Sequence, residues 1–223
     1  RFEHPQKGIV SPGQFIPLAE QTGQIIEIGE QVLRKACADT KRWVNQGLFS
    51  GRVAVNISAK QFELPDLDER INKILSEVGL SPLHLECEIT EGTLMESPEN
   101  GLRMMSRLRE RGIHLALDDF GTGYSSLTYL RRLPTSLIKI DQSFVRDMLD
   151  NDDDLAIIES VIALAKLFNR EVISEGVETA QHGRALLQMG CELAQGFGIS
   201  RPIPANEIPE WVNTWKPDTS WQL

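Results

Sequence analysis

Short apolar runs rich in β-branched residues alternate along the chain with longer runs in which apolar residues recur every three to four positions. The short runs predict β-strands and the longer runs predict amphipathic helices. The predicted strands are residues 53–57, 83–89, 113–117, 137–140, 171–174 and 192–197. The predicted helices are residues 25–46, 67–78, 101–111, 125–132, 152–168, 179–189 and 206–215. This alternation is typical of repeated βα units around a parallel sheet.

Polar side chains stand at the carboxyl end of every predicted strand. They are Asn56, Glu88, Asp118 with Asp119, Lys139 with Asp141, Glu175 and Gln195. Because functional groups gather at this end of a barrel, the pattern predicts an α/β fold, a TIM-like (β/α)8 barrel. The six predicted strands do not close such a barrel, and an open parallel sheet leaves its edges unpaired. We therefore expect the first two strands to lie upstream of Arg1, in sequence missing from this chain.

Composition limits the classes of partner. At 223 residues and 41% hydrophobic, the chain is long enough to bury a large core, and we expect a single domain over residues 1–223. A net charge of -9 argues against polymeric DNA or RNA as a partner. The three cysteines are odd in number and far apart, which favours reduced thiols and a cytoplasmic location. No apolar run is long enough to cross a bilayer, so we expect no membrane contact by this segment.

The polar residues at the strand ends are suited to a divalent metal. Five of them are hard oxygen ligands: Asn56, Glu88, Asp118, Asp119 and Glu175. Oxygen ligands of this kind favour Mg²⁺ or Mn²⁺. Side chains alternate along a strand, so the two adjacent aspartates reach one site only if the chain bends where the strand stops. The glycines at positions 121 and 123 permit such a bend.

This arrangement predicts phosphodiester hydrolysis. One bridging carboxylate could hold two ions about 3.5–4 Å apart, the spacing used for in-line displacement at phosphorus. Lys139 could position the attacking water or offset charge on the phosphate. Glu175 could accept the proton of the water or complete the second metal site.

The motifs, taken together and in order, resemble those of the EAL domain family. They are NIS (56–58), ECEITE (86–91), DDFGTGYSSL (118–127), KID (139–141), SEGVE (174–178) and QG (195–196), and they cover nearly the whole chain. The resemblance implies a TIM-like barrel that hydrolyses cyclic di-GMP to linear pGpG with magnesium or manganese. It also implies an output module at the C-terminal end of a larger signalling protein, preceded by a sensor or GGDEF-type domain, and a homodimer.

The resemblance assigns roles to individual residues. By this resemblance the metal ligands would be Asn56, Glu88, Asp118 and Asp119, beside the Glu175 inferred above from its strand end. Lys139 and Glu175 would serve the hydrolytic water. The substrate contacts would be Arg1, Pro12, Phe15, Asp141, Glu178 and Gln195. A regulatory loop would consist of Glu91, Phe120, Gly121, Thr122, Gly123, Tyr124 and Ser125, with Glu91 as its anchor.

One departure from the family and several alternatives stay open. The Glu-Ala-Leu signature, whose glutamate is a metal ligand in active members, is not in this sequence and is expected shortly before Arg1. A catalytically inactive receptor for cyclic di-GMP, or a structural signalling module, is the alternative function, although every ligand position within the chain is filled. Lys139 could instead be a structural partner of Asp141, Glu175 could be ligand or base, and Glu91 could simply cap a turn.

Overall fold

The computed structural model describes residues 2–4, 6, 8–123 and 127–221. Its strands are β1 (Phe2–His4), β2 (Gly8–Val10), β3 (Val53–Asn56), β4 (Leu85–Thr90), β5 (His114–Phe120), β6 (Leu137–Ile140), β7 (Glu171–Ser174) and β8 (Leu193–Ala194). Its helices are α1 (Pro12–Thr22), α2 (Ile25–Asn45), α3 (Ala59–Phe62), α4 (Leu67–Val78), α5 (Glu91–Glu96), α6 (Pro98–Glu110), α7 (Leu127–Arg132), α8 (Gln142–Asp147), α9 (Asp152–Leu167), α10 (Ala180–Gln188) and α11 (Ile208–Thr214).

The main sheet is parallel and follows the order of the chain. Strands β3 to β8 lie side by side in sequence order, and helices connect them, as βα repeats require. Within the described residues β3 and β8 are the two edges of this sheet, while β1 and β2 form a separate antiparallel hairpin. The parallel strands therefore form part of a barrel, which confirms the predicted α/β, TIM-like fold with strands missing.

The faces of the strands differ in polarity. On β4 the apolar residues Leu85, Cys87 and Ile89 are fully buried in the hydrophobic core. The alternate residues Glu86 and Glu88 point to the inner face, where each makes an ion pair. The period of two in the strand therefore separates a packed outer face from a charged inner face.

Several helices begin directly where a strand ends. Thr90, the last residue of β4, accepts a hydrogen bond from the Thr93 N–H and so caps α5. Asp141 follows β6 at once and caps α8 through the Ser143 N–H. Such caps satisfy backbone donors that the helix cannot satisfy itself. The strand ends are thus held by short, well-bonded connections.

The hydrophobic pattern predicted most of these elements, with differences at their ends. β4 begins at Leu85 because Pro82–His84 form a 3-10 turn, and β8 is only Leu193–Ala194. The pattern did not predict α1, the hairpin, α3, α5 or α8. The last three are only four to six residues long, which is too short to show a full helical period of apolar residues. The predicted helix 125–132 is observed from Leu127, its first two residues lying outside the described ranges. None of the helices in the described ranges is both long and apolar enough to cross a membrane.

Candidate active site

A buried lysine stands among three carboxylates at the carboxyl end of the sheet. The Lys139 Nζ lies 2.7 Å from Glu88 Oε1, 3.0 Å from Asp118 Oδ1 and 2.7 Å from Glu175 Oε1. These partners come from β4, β5 and the residue after β7, so the ammonium connects three strands to β6. Lys139 is only 3% exposed.

The register of the strands explains why these side chains meet. Residues Ile138 and Ile140 are fully buried in the core, so the intervening lysine points to the inner face of the sheet. Parallel pairing aligns the carboxyl ends of β4, β5, β6 and β7, and their last inward side chains therefore meet. Lys139 does not pair with Asp141 in this arrangement, so the alternative of a structural Lys139–Asp141 pair is not observed.

Burial and charge act in opposite directions on this cluster. Burial by itself would lower the pKa of Lys139, but the charge of Glu88 and hydrogen bonds to Glu175 and Glu88 outweigh it and raise that pKa. Burial raises the pKa of Glu88, partly offset by the charge of Lys139. The lysine is therefore held as an ammonium ion that donates hydrogen bonds and cannot accept a proton.

The second aspartate of the doublet has an unusual backbone. Asp119 has φ of 53°, in the left-handed region, and the pairing of β5 with β6 shifts register between Leu117 and Phe120. A β-bulge of this kind re-aims a side chain beside an active site. We expected the bend where the strand stops, at the glycines. The structure places it within the strand, at Asp119 itself, while Gly121 also has a positive φ of 101°.

The bend brings both aspartates to one place. Single carboxylate oxygens of Asp118, Asp119 and Glu175 all lie within 4.8 Å of one another. Burial, together with the charges of Asp118, Asp141 and Glu175, raises the pKa of Asp119 to about 6. Unlike Asp118 and Glu175, Asp119 makes no ion pair with Lys139 among the described residues. The donor set therefore fits a hard divalent cation, which would neutralise carboxylates that one lysine leaves uncompensated.

The other two predicted ligands flank this group. Asn56 and Glu88 are paired residues on β3 and β4, so their side chains are neighbours on the same face. Asn56 is exposed because β3 is an edge strand among the described residues. The structure thus places all five predicted ligands at the carboxyl ends of β3, β4 and β5 and at the residue after β7.

The loop after the aspartates is held from α5. Glu91 is 2% exposed, and its Oε2 accepts a hydrogen bond from the Gly121 N–H at 3.4 Å. A Cβ at Gly123 would lie 2.6 Å from Glu91 Oε1, so the carboxylate and the loop backbone are in close contact. The Thr122 hydroxyl donates to the Asp119 carbonyl at 2.8 Å. Phe120 is buried, while Tyr124 and Ser125 lie outside the described residues.

The predicted substrate contacts fall into two groups. Glu178 and Gln195 are exposed on neighbouring loops after β7 and β8. The Val177 N–H donates to the Gln195 carbonyl at 3.0 Å, and the Gln195 N–H donates to the Ser174 carbonyl at 2.8 Å. A Cβ at Gly196 would overlap the Val177 backbone, so these two loops are in direct backbone contact.

The remaining contacts are less closely connected to the cluster. Pro12 and Phe15 lie in the first turn of α1, which packs against α2. Asp141 caps α8, and a hydrogen bond with it contributes to the raised pKa of Asp119. Arg1 lies outside the described residues. The substrate roles of all these residues stay predictions.

Sequence reasoning missed two supporting residues. Ser143 donates both its N–H and its hydroxyl to Asp141 Oδ1 and so fixes that carboxylate. Thr90 is the register partner of Asp118 and caps α5, on which Glu91 is the first residue. The capping pattern, a short polar residue where a strand gives way to a helix, was a usable signal for both.

Comparison with known proteins identifies the family. The family model described as EAL domain matches residues 1–202. The bifunctional diguanylate cyclase/cyclic di-GMP phosphodiesterase MucR of Pseudomonas aeruginosa is 43% identical over 208 residues, which are 93% of this chain and 30% of MucR. The cyclic di-GMP phosphodiesterase NbdA of the same organism is 40% identical over 220 residues, which are 99% of this chain and 28% of NbdA. The chain thus spans less than a third of either relative.

A solved structure agrees with the sequence matches. The structure titled PaMucR phosphodiesterase, c-di-GMP complex, superposes with a TM-score of 0.91 at 43% identity and covers 93% of this chain and 84% of that one. The chain therefore belongs to the EAL domain family.

Proposed function

We propose that this domain is a phosphodiesterase that hydrolyses cyclic di-GMP to linear pGpG with Mg²⁺ or Mn²⁺, two ions in the complete site. The observation that carries the proposal is the pair of adjacent aspartates turned to one side by the bulge at Asp119, beside a buried lysine held between carboxylates. MucR and NbdA are named for this activity, and the MucR phosphodiesterase has been solved with cyclic di-GMP.

The metal ligands would be Asp118, Asp119 and Glu175, with Asn56 and Glu88 completing the set. Bound divalent ions would polarise the phosphodiester and lower the pKa of a bound water. The chain itself supplies the alignment of these oxygens, since Glu88 and Asp118 are buried and Lys139 fixes one oxygen of each. This support explains how several carboxylates can face one another at the same strand ends.

Lys139 and Glu175 have different roles in the proposed hydrolysis. Because the pKa of Lys139 is raised, its ammonium would stabilise negative charge developing on the phosphate. Glu175 Oε1 lies 2.7 Å from that ammonium, which leaves Oε2 to accept a proton from the attacking water. Glu175 is also partly exposed, as a group that meets water must be.

The remaining assignments complete the proposal. Arg1, Pro12, Phe15, Asp141, Glu178 and Gln195 would contact the substrate, and the loop from Phe120 to Ser125 would regulate metal occupancy with Glu91 as its anchor. We further propose that residues 1–223 form one truncated barrel domain, the cytoplasmic output module of a larger signalling protein that dimerises. The exposed Glu178 and Gln195 are suited to hydrogen-bond the edges of a guanine base.

The test is hydrolysis of cyclic di-GMP by this chain and by a version extended upstream, each with Mg²⁺ or Mn²⁺. The Asp118→Ala variant is the control. Formation of pGpG by the wild-type extended protein and not by its variant would support the proposal. Binding of cyclic di-GMP without turnover in both would make the domain a receptor, and absence of both binding and turnover would overturn the proposal.

A further inference from the structure

A cavity of about 470 Å³ lies between α3, α5 and α6. Its floor is apolar and includes Phe62, Leu64 and Met104, and its rim includes Glu96 and Arg103. Phe62 and Met104 are buried, so the floor is rigidly packed. The volume falls in the range of small-molecule sites, which combine apolar walls with a few polar groups.

The two rim charges lack ionic partners. Among the described residues, neither the Glu96 carboxylate nor the Arg103 guanidinium has an opposite charge within 4.0 Å, so the two do not pair with each other. The other rim charges are already engaged: Arg107 pairs with the buried Asp68, and Glu63 pairs with Lys60. Arg103 donates a hydrogen bond to Asn100 Oδ1. The cavity thus presents one anion and one cation without ionic partners beside its apolar floor.

The cavity is close in the structure to the aspartates. Thr93 lines the cavity and contacts the Thr90 hydroxyl through its own hydroxyl at 2.9 Å and its N–H at 3.3 Å. Thr90 pairs in register with Asp118. Glu91, two residues before Thr93, accepts the hydrogen bond of the Gly121 N–H. A ligand against the first turn of α5 would therefore displace groups that touch β5 and the loop after it.

We propose that this cavity binds a zwitterionic small molecule with an apolar body, the class of the free hydrophobic α-amino acids, and that occupancy adjusts the geometry of Asp118. The carboxylate of the ligand pairs with Arg103, its ammonium pairs with Glu96, and its side chain packs on Phe62 and Met104. The effect of the ligand on turnover rests on the proposed hydrolysis, whereas the binding of the ligand to the cavity does not.

The first test is calorimetric titration of the protein with L-phenylalanine. The matched ligands are 3-phenylpropionate, which lacks the ammonium, and phenethylamine, which lacks the carboxylate. We expect binding of one L-phenylalanine per chain and at least about tenfold weaker binding of each analogue, because each loses one charge-assisted contact. No detectable binding of L-phenylalanine, or equal binding of all three compounds, would overturn the proposal.

Variants on the rim locate the site. Arg103→Gln is expected to weaken L-phenylalanine about tenfold and to leave phenethylamine unchanged, because that analogue has no carboxylate to lose. Glu96→Gln should do the same for L-phenylalanine and leave 3-phenylpropionate unchanged. Both residues are exposed, so neither change threatens folding. L-phenylalanine binding that neither variant weakens would place the ligand elsewhere and refute the assignment.

The connection to the aspartates has its own readout, independent of activity. In amide NMR spectra, L-phenylalanine is expected to shift the Asp118 and Gly121 signals. Thr93→Val keeps the shape of the side chain but removes its hydroxyl contact with Thr90, and should retain binding while at least halving the Asp118 shift. Bound ligand with unmoved Asp118 and Gly121 signals would contradict the regulatory part of the proposal.

Discussion

At both ends of the parallel strands a cation bridges carboxylates from different strands, but the two clusters differ in burial and in balance of charge. At the carboxyl end, Lys139 is 4% exposed in its side chain and contacts three carboxylates. At the amino end, Arg52 is 34% exposed in its side chain and lies 3.1 Å from Glu86 and 3.7 Å from Glu171. A guanidinium shared by two carboxylates, partly in water, is an ordinary structural contact.

Among the described residues, the carboxyl end of the sheet has an excess of carboxylates, and the amino end does not. Asp119 adds a further acid beside the Lys139 cluster, and its pKa is raised by burial and then by its acidic neighbours. At the amino end, burial and the charge of Arg52 lower the pKa of His114, while Glu86 and Glu171 act in the opposite direction. Uncompensated negative charge, more than the presence of ion pairs, therefore separates a candidate metal site from a structural cluster.

The largest expected effect is that of Lys139→Gln. Without the ammonium, Glu88, Asp118 and Glu175 face one another without compensation, and breaking such a buried pair costs about 3–5 kcal/mol of unfolding free energy. Hydrolysis should fall at least about 100-fold, because a positioned charge is lost. Urea unfolding and pGpG formation measure the two effects. Unchanged stability of the variant would mean that the cluster is not held as described.

A smaller effect is expected from pH acting on Asp119. Its pKa of about 6 exceeds the value in the unfolded chain, so between about pH 4 and 6 the folded state without metal binds more protons than the unfolded state. The free energy of unfolding should therefore fall as pH rises through this range. A divalent ion requires the ionised form, so Mn²⁺ affinity should fall up to about tenfold per pH unit below pH 6. Calorimetric titration with Mn²⁺ from pH 5 to 8 measures this. Asp119→Asn should flatten the profile, and an identical slope in that variant would assign the proton to another group.

Arg52→Gln tests the cluster at the amino end of the strands. We expect it to change stability and hydrolysis less than Lys139→Gln does. The half-exposed ion pairs contribute about 1 kcal/mol or less, and hydrolysis should stay within about threefold of wild type. Loss of a nearby positive charge should raise the pKa of His114, which an NMR titration of its ring protons would detect. A loss of hydrolysis as large as that of Lys139→Gln would remove the distinction between the two ends.

The smallest expected effect is that of Gly121→Ala. The positive φ of Gly121 and the Phe144 ring 3.0 Å from an added Cβ should lower the unfolding free energy by about 1 kcal/mol. Because Gly121 donates to Glu91, the strain should also weaken Mn²⁺ binding a few-fold. Gly47→Ala, also at positive φ but with open space around its Cβ, is the matched control. Equal Mn²⁺ affinity in both variants would argue against an anchored loop.

The pattern of the sequence predicted the site better than it predicted the backbone that builds it. The alternation of apolar and polar residues located β5 and β6 and placed Asp118 and Lys139 at their carboxyl ends, because periodicity depends only on side-chain type. It could not reveal the left-handed Asp119, since a bulge depends on pairing with β6. Nor could it reveal the partners of Lys139, because spacing along one strand offered only Asp141 as an alternative, while the observed contacts cross three strands.

The backbone contact between Gly196 and Val177 fixes the distance between two loops as well as their local fold. The loops that carry Gln195 and Glu178 cannot slide past each other, since two hydrogen bonds and the absence of a Cβ hold their main chains together. A ligand that touches both side chains therefore meets two loops that are held at a constant distance from each other. Little conformational entropy is lost when such a surface is occupied, so we expect recognition at this rim to be selective for the length of the ligand.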